Sequence, residues 1–508
     1  MHRIDQHKGN NKRIAKNTML LYLRSFIVML VTLYTSRVIL KALGIEDYGL
    51  YNVIGGVIGL FAFFRSSMTK STQRFLNVEM AKPNGRLKET FSVSLTIHVV
   101  IAIIILFLAE TGGLWFLNNY IQIPEGRELA ANVVYQSTVL SLVFTILSVP
   151  YNASIIAHER MGYFAVVSII DAFLKLAICF LIMFSDKDRL IVYGWLILGI
   201  NILNFIFYAA YCLLRCPETS FRLMKDKQLS KDILGYTTWT VVGQAAIVGT
   251  NQGNNILMNM FHSVTANAAM GVANQVNHAV VSLTSSFQTA FNPQITKSYA
   301  SKDYDYLKFL VFTTSKISFL LLAFVSIPIA FNIDSILGFW LDVVPKYSDI
   351  FVVLILCNTI LNALSAPLNF TVLSSKKIKF FQIITSIVYL SDLLFVYVLF
   401  SMGLPPATAL YVKVAIMVLV LFVRLYFASK EVPCINGRTY VKEIIWPLLA
   451  CSSVLIIIGM VLFSFADGML LRIVATIVFM AIMLLIMYLV GLSNAERKMV
   501  KKVLKLRG

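Results

Sequence analysis

Residues 232–260 read DILGYTTWTVVGQAAIVGTNQGNNILMNM, and residues 266–293 read ANAAMGVANQVNHAVVSLTSSFQTAFNP. Each stretch is long enough to cross a bilayer as an α-helix, yet both are rich in polar side chains. These are Gln244, Asn251, Gln252, Asn254, Asn255 and Asn259 in the first stretch, and Asn274, Gln275, Asn277, His278, Gln288 and Asn292 in the second. Because an unpaired polar group in hydrocarbon costs several kcal/mol, these faces should contact protein or water. The two stretches predict membrane helices that line an aqueous cavity.

The whole chain is too apolar for a soluble globular protein. Of its 508 residues, 58% are hydrophobic and 14% are charged, and the mean hydropathy is +0.77. A membrane helix needs about 20 mostly apolar residues, so hydropathy predicts an all-α, polytopic membrane protein with fourteen transmembrane helices. The predicted spans are 16–40, 48–68, 89–110, 131–157, 162–184, 190–213, 233–261, 267–293, 306–331, 348–373, 378–400, 405–428, 444–465 and 470–491.

The positive charge follows the topology of these spans. The formal net charge is +19, which could suggest binding to nucleic acid. If the N-terminus is cytosolic, however, most Lys and Arg residues fall in cytosolic connections, as the positive-inside rule requires. We therefore predict cytosolic N- and C-termini and no nucleic-acid partner.

A hexapeptide pattern recurs in the two halves of the chain. Leu147–Asn152 reads LSVPYN and Leu364–Asn369 reads LSAPLN, six spans later. Six is even, so the two copies have the same orientation and predict two six-helix lobes related by a parallel pseudo-two-fold repeat. The predicted parts are an N-lobe at 1–214, a cytosolic interlobe loop at 215–232, a C-lobe at 233–428, and two further helices with a basic cytosolic tail at 429–508.

Each copy places a proline inside a span, at Pro150 and Pro367. An internal proline removes one backbone hydrogen bond and bends the helix. The two prolines predict either matched hinges or static kinks that packing accommodates.

Several charged residues fall within the predicted spans. Arg65 and Arg424 lie near span ends and are expected to reach the membrane surface. Deeper basic residues, which should face a cavity or a partner, are Arg24, Lys175, Lys316 and Lys413.

Two acids, Asp171 and Asp392, lie in spans 5 and 11, which are corresponding helices of the two predicted halves. Asp171 precedes Lys175 by one helical turn, a spacing that favours an ion pair over a role in ion coupling. Asp392 has no opposite charge at helical spacing, so it is the better candidate for ion coupling, although a neutral hydrogen-bonded acid is equally consistent with the sequence.

The amides form stripes at helical spacing. Residues that define them are Gln244, Asn251, Asn255, Asn259, Asn274, Gln275 and His278. Amides donate and accept hydrogen bonds without net charge, which suits sugar hydroxyls, while hydrogen bonding between helices explains part of the set.

No site for a metal or cofactor is predicted. His278 has no cysteine or acidic cluster beside it, and the six cysteines show no CxxC spacing and are interpreted as inert. Nucleotide-binding and hydrolase motifs are absent from the sequence.

Two motifs resemble a known transporter family. Ser36–Tyr51 reads SRVILKALGIEDYGLY, followed by Thr72-Gln73-Arg74-Phe75, and Pro293–Ala300 reads PQITKSYA. These residues resemble bacterial polysaccharide flippases, of the kind that move O-antigen or capsule repeats, in the multidrug/oligosaccharidyl-lipid/polysaccharide exporter superfamily. The Gly44 turn in the first motif is more simply a structural hairpin than a substrate contact.

The resemblance implies a function and a substrate. Such a flippase moves a polyprenyl-diphosphate-linked oligosaccharide across the membrane by alternating access, with Arg24 as the first candidate contact for the diphosphate and with Lys316 and Lys175 as further ones. Membrane lipids surround it, spans 13 and 14 would supply a groove for the lipid tail, and a polymerase and glycosyltransferases act in the same pathway. We expect a monomer that is not an enzyme; the alternatives are a drug or cation antiporter of the same superfamily and a membrane-embedded polysaccharide polymerase or ligase.

Overall fold

A computed structural model describes residues 2–59, 62–120, 123, 125–220, 226–262, 264–341, 344–466, 468–492 and 497. Every regular element in these ranges is helical, which confirms the predicted all-α class. The helices of the first half are α1 (His2–Gly59), α2 (Ala62–Met80), α3 (Leu87–Leu108), α4 (Leu114–Tyr120), α5 (Glu128–Ala157), α6 (Met161–Met183) and α7 (Arg189–Arg215). Those that follow are α8 (Lys227–Phe261), α9 (Val264–Ala300), α10 (Tyr304–Phe331), α11 (Ile333–Trp340), α12 (Ser348–Ser374), α13 (Lys379–Ser401), α14 (Thr408–Glu431), α15 (Gly437–Tyr440), α16 (Trp446–Ser464) and α17 (Met469–Ile486).

Ten helical segments in the described ranges are long and apolar enough to cross a membrane. They correspond to predicted spans 3–6 and 9–14, and most of their ends agree with the predicted ends to within three residues. The described residues of the other four predicted spans are helical as well, in α1, α2, α8 and α9.

The third span extends beyond its predicted end at residue 110. A π-helical turn, Ala109–Gly113, joins α3 to α4, so the helix continues through Gly112 and Gly113. The hydroxyl of Tyr135 on α5 donates a hydrogen bond of 2.7 Å to the carbonyl of Ala109. This bond connects α5 to the π-helical turn, at a carbonyl that also accepts from the backbone amide of Leu114.

Gly44 divides α1 into two arms. Its φ of +82° is a conformation that residues with a side chain rarely adopt, and the backbone is helical on both sides. Val38 and Ile39 before the turn and Tyr51 after it all pack in one apolar cluster with Ile178. The short hairpin predicted between the first two spans is therefore a glycine turn.

The chain divides into two compact units, residues 1–244 and 245–508. In the first unit α5 packs against α2, α3 and α7, and α1 packs against α6. In the second unit α12 packs against α9, α10 and α14, while α16 and α17 pack on α10. The division falls within α8, and the predicted lobe boundaries, the repeat and the orientation of the termini stay predictions. Residues 221–225 of the predicted interlobe loop and most of the basic tail lie outside the described residues.

Candidate functional site

A basic cluster lies in the first unit, beginning with Arg24 on α1. Its guanidinium lies over the ring of Phe164 on α6, 4.7 Å from the ring centre. The Nε of Arg24 is buried and has no hydrogen-bond partner among the described residues. A buried cationic donor without a partner is costly, so this arginine is suited to receive an anion.

The acid nearest to this arginine already has two partners. The Nζ of Lys175 donates to Asp171 Oδ2 at 2.8 Å, which confirms the predicted ion pair on α6. The amide of Asn204 on α7 donates to Asp171 Oδ1 at 2.7 Å. Asp171 also lies within electrostatic range of Arg24. The structure therefore brings Arg24 and Lys175 together around one shared carboxylate.

Arg65 on α2 joins the same cluster, although the sequence suggested that it reaches the membrane surface. Its side chain is solvent-accessible yet has protein on most sides, and both Asp171 and Tyr208 lie within its electrostatic range. Arg24, Arg65, Lys175 and Asp171 together form what we call the basic cluster. Three cations and one anion leave a net charge of +2, which is suited to a diphosphate.

The second unit holds a buried acid, Asp392 on α13, which is only 1% exposed. The amide of Asn254 on α8 donates to Asp392 Oδ2 at 2.5 Å. Asp392 Oδ1 and Asn254 Oδ1 are buried without a hydrogen-bond partner among the described residues. Lys413 on α14 is within electrostatic range of Asp392 and donates to Asn251 Oδ1 at 2.8 Å.

The predicted amide stripes divide into two groups. Hydrogen bonds between helices engage Asn254 and Asn251, as above, and Asn277, which accepts from Thr359 on α12 at 2.6 Å. Exposed or half-buried members are Gln244, Asn255, Asn259, Asn274, Gln275 and His278. On α9 the exposed positions Gln275, His278 and Ser285 lie on one face, at helical spacing.

Lys316, the other predicted diphosphate contact, lies in the second unit. It is 6% exposed and lines a cavity of about 480 Å³ between α10 and the helices at the C-terminal end. Lys308, Asp305 and Glu443 line the same cavity. This surrounding is mixed in charge, unlike the basic cluster.

Arg424 on α14 does not extend to the membrane surface as its position near a span end suggested. It is 6% exposed and donates to Asn362 at 2.9 Å, to Ser365 at 2.7 Å and to Tyr389 at 3.1 Å. The correction has a simple cause: polar partners on α12 and α13 compensate the charge inside the bundle, and the sequence of α14 alone does not reveal them.

Pro150 and Pro367 both lie inside continuous helices, α5 and α12, and both are buried. The hydroxyl of Thr371 donates to the Pro367 carbonyl at 2.9 Å. The positions of the prolines agree with the prediction, while a role as hinges stays a prediction.

The family-like motifs occupy structural positions. Asp47, after the Gly44 turn, pairs with Arg127. The guanidinium of Arg74 lies 4.7 Å from the ring centre of Phe75 and 4.9 Å from that of Tyr236. Within the second unit, Tyr299 donates to Glu431 at 3.0 Å. These motif residues connect helices to one another.

The amino-acid sequence matches a known protein family. Residues 14–299, more than half of the chain, match the family described as polysaccharide biosynthesis protein. No curated protein sequence matches the chain.

Solved transporter structures share the fold. A multidrug resistance MATE family transporter of the MOP superfamily, in an outward-facing conformation, aligns with a TM-score of 0.69 at 12% identity, over 84% of this chain and 97% of that one. A MATE structure in the straight conformation gives 0.71 at 12% identity, over 84% and 97%. A MOP superfamily transporter from Pyrococcus furiosus, described as having a binding pocket of reverse polarity that suggests a different function, gives 0.67 at 13%, over 82% and 96%.

The ten apolar helices and the shared fold describe a multi-pass membrane protein built like these transporters. The chain belongs to the polysaccharide biosynthesis protein family, which agrees with the polysaccharide-related resemblance of its motifs.

Proposed function

We propose that this protein moves a polyprenyl-diphosphate-linked oligosaccharide repeat from the cytosolic to the outer leaflet of the bacterial inner membrane. The observation that carries this proposal is the basic cluster of the first unit. Arg24 and Arg65 lie around an acid that Lys175 and Asn204 already engage. Arginine presents a planar fork of donors that matches phosphate oxygens, so the cluster would bind the diphosphate.

The polar face of α9 would contact the sugars. Gln275, His278 and Ser285 are exposed on this helix. A lipid environment would leave such groups without hydrogen bonds, which favours a water-filled cavity on this side of α9. Neutral donors and acceptors there suit sugar hydroxyls.

The second unit also contains a mostly apolar cavity, which is suited to a lipid tail. A cavity of about 620 Å³ lies between α10, α11 and α17, with mostly apolar walls that include Ile329, Phe339 and Ile473. Arg472 lies in the same wall and donates to Ser335 at 3.0 Å. This cavity is our candidate for the polyprenyl tail that the family resemblance assigned to spans 13 and 14.

The rest of the proposal concerns topology. Fourteen spans in two six-helix lobes, with both termini in the cytosol, would allow alternating access with the prolines of α5 and α12 as hinges. Because no motif for nucleotide hydrolysis is present in the sequence, an ion gradient or the removal of product would drive transport, and Asp392 is the candidate coupling residue.

The test uses the full chain in proteoliposomes with a fluorescent polyprenyl-diphosphate disaccharide, whose outer-leaflet fraction a membrane-impermeant quencher reports. We expect Arg24→Ala and Arg65→Gln each to slow flipping about tenfold or more, since a charge-assisted hydrogen bond contributes roughly 1.5–3 kcal/mol. Arg215→Ala removes an exposed arginine outside the cluster and should leave the rate unchanged. Wild-type rates in both cluster variants would remove the diphosphate from this site.

A cation-coupled drug exporter is the second candidate, because the unpartnered oxygens beside Asp392 could hold a cation or a proton. In the same proteoliposomes, transport of small organic cations without any flipping of the lipid-linked sugar would favour that function. A polymerase or ligase would instead lengthen the sugar chain, which chromatography of the recovered lipid detects.

A further inference from the structure

Three side chains with metal-binding atoms meet at one end of the first unit. They are His158, which follows α5, and Cys216 and Glu218, which follow α7. One ligand atom of each lies within 4.8 Å of the others. Cys216 is 1% exposed and Glu218 is 8% exposed, while the imidazole of His158 is 24% exposed and leaves a path to water.

The orientation of His158 leaves one ring nitrogen facing an acceptor. Its Nδ1 lies 3.0 Å from the carbonyl of Ser154 and must donate to it, since a carbonyl only accepts. The Nε2 of the neutral ring then carries a lone pair, 3.4 Å from Glu218 Oε1, which is also an acceptor. Two facing lone pairs repel unless a cation, either a proton or a metal ion, lies between them.

We propose that His158, Cys216 and Glu218 bind a zinc ion. The 3.4 Å between the imidazole nitrogen and the carboxylate oxygen fits an edge of a zinc tetrahedron, which is about 3.3–3.6 Å for usual bond lengths. Thiolate and carboxylate together bring two negative charges, which balance Zn²⁺. A protonated imidazole would satisfy the carboxylate alone and leave the Cys216 sulfur to the thiol of Cys212 and the hydroxyl of Ser154, whereas a metal ion would use all three groups.

The surroundings agree with a metal site. A zinc-bound histidine usually donates its other N–H to a carbonyl or a carboxylate, as His158 does. The hydroxyl of Ser154 donates to Glu218 Oε1 at 3.1 Å and orients the carboxylate. The thiol of Cys212 donates to the Tyr151 carbonyl at 3.4 Å and also contacts Cys216. Because Cys212 is outside the group of three clustered ligand atoms, water is the natural fourth ligand.

Zinc at this position would connect the turn between α5 and α6 to the exit of α7. That exit leads into the segment before α8, so the ion would fix where the connecting chain leaves the first unit. Cysteines predicted to face the cytosol stay reduced there and are available as ligands.

The test measures metal in the full chain, purified through an affinity tag without histidines and stripped with a chelator. We expect titration with Zn²⁺ to saturate at about one ion per chain and to raise the thermal midpoint of unfolding. With Co²⁺ as the probe, a near-ultraviolet thiolate-to-cobalt charge-transfer band should appear, because one ligand is a sulfur.

Single substitutions test which side chains bind the metal ion. Cys216→Ser should abolish the charge-transfer band, and Ser154→Ala, which keeps all three ligands, should weaken Zn²⁺ binding about 10- to 100-fold. Cys434→Ser removes a cysteine outside the cluster and is the matched control. Should Cys216→Ser fail to fold, the Co²⁺ spectrum of the wild-type protein and of His158→Gln decides the question. A stripped wild-type protein that takes up no zinc, or a band that survives in Cys216→Ser, would overturn the proposal in favour of a protonated imidazole.

Discussion

The ammonium nitrogen of Lys175 lies 2.8 Å from the carboxylate of Asp171, one turn earlier on α6. Asp171 has further interactions, since Asn204 donates to its other carboxylate oxygen and Arg24 and Arg65 lie within electrostatic range. Asp171 is thus the one acid of the basic cluster. Its charge limits the repulsion among three cations without cancelling the net positive charge.

Removal of Asp171 should therefore destabilise the first unit, and removal of Lys175 with it should compensate. We expect Asp171→Asn to lower the free energy of unfolding by roughly 1 kcal/mol, a value reduced for the partial exposure of the pair. The double variant Asp171→Asn/Lys175→Met should recover most of the loss. Thermal unfolding in detergent, monitored by intrinsic fluorescence, measures Asp171→Asn, Lys175→Met and the double variant. Strictly additive effects of the two single substitutions would contradict a coupled pair.

The contact between Asn254 and Asp392 predicts that different substitutions affect stability and ion coupling. Asn254→Ala removes the donor from a carboxylate that is 1% exposed, so we expect a loss of about 1–3 kcal/mol in stability. Asp392→Asn has nearly the same shape and should fold, but its transport should no longer respond to an imposed proton or sodium gradient. Transport that responds to the gradient as in the wild-type protein would show that Asp392 is a structural acid.

Arg127 connects three parts of the first unit. It pairs with Asp47 after the Gly44 turn and, at 2.5 Å, with Asp188, whose carboxylate also caps the first turn of α7. We expect Arg127→Ala to lower stability by roughly 1–3 kcal/mol, because two charge-assisted contacts are lost at once. Lys187→Ala, which changes an exposed neighbour, is the control in the same unfolding measurement. Equal midpoints for the two variants would refute a structural role for Arg127.

The contacts of Asp226 at the start of α8 predict that the protein loses stability in acid. The backbone amide of Leu229 donates to its carboxylate at 2.9 Å and Arg86 donates at 2.7 Å, and together they hold the pKa of Asp226 below its usual value. A carboxyl whose pKa is lower in the folded state stabilises above its unfolded pKa of about 3.9, and that stabilisation is lost as the pH falls through the folded value.

Asp226→Asn should accordingly unfold at a lower temperature than the wild-type protein at neutral pH, and the gap should close as the pH falls below about 4. Thermal midpoints of both proteins across a pH series measure this difference, and Asp186→Asn, which changes an exposed residue, is the control. A gap that stays constant over the series would mean that the charge of Asp226 contributes nothing.

The sequence by itself determined the membrane class, the ends of most apolar helices and the pair of Asp171 and Lys175. Each of these depends on residues close together in the chain: about 20 apolar residues make a span, and a spacing of four brings two side chains together on a helix. The third span continues past its predicted end through a π-helical turn, where Tyr135 on another helix donates to the Ala109 carbonyl. A contact of this kind leaves no local pattern in the sequence of α3.

Only the tertiary structure showed which polar residues meet. Arg65 joins Arg24, Arg424 finds partners on α12 and α13, and Asn254 reaches Asp392. His158 meets Cys216 although the two lie on different connections of the chain. In an apolar chain most buried polar groups need a hydrogen-bond partner, and the helix that supplies it is set by packing between helices. Hydropathy predicts where those helices are; the partners depend on which helices pack together, and the composition of any one helix does not specify that.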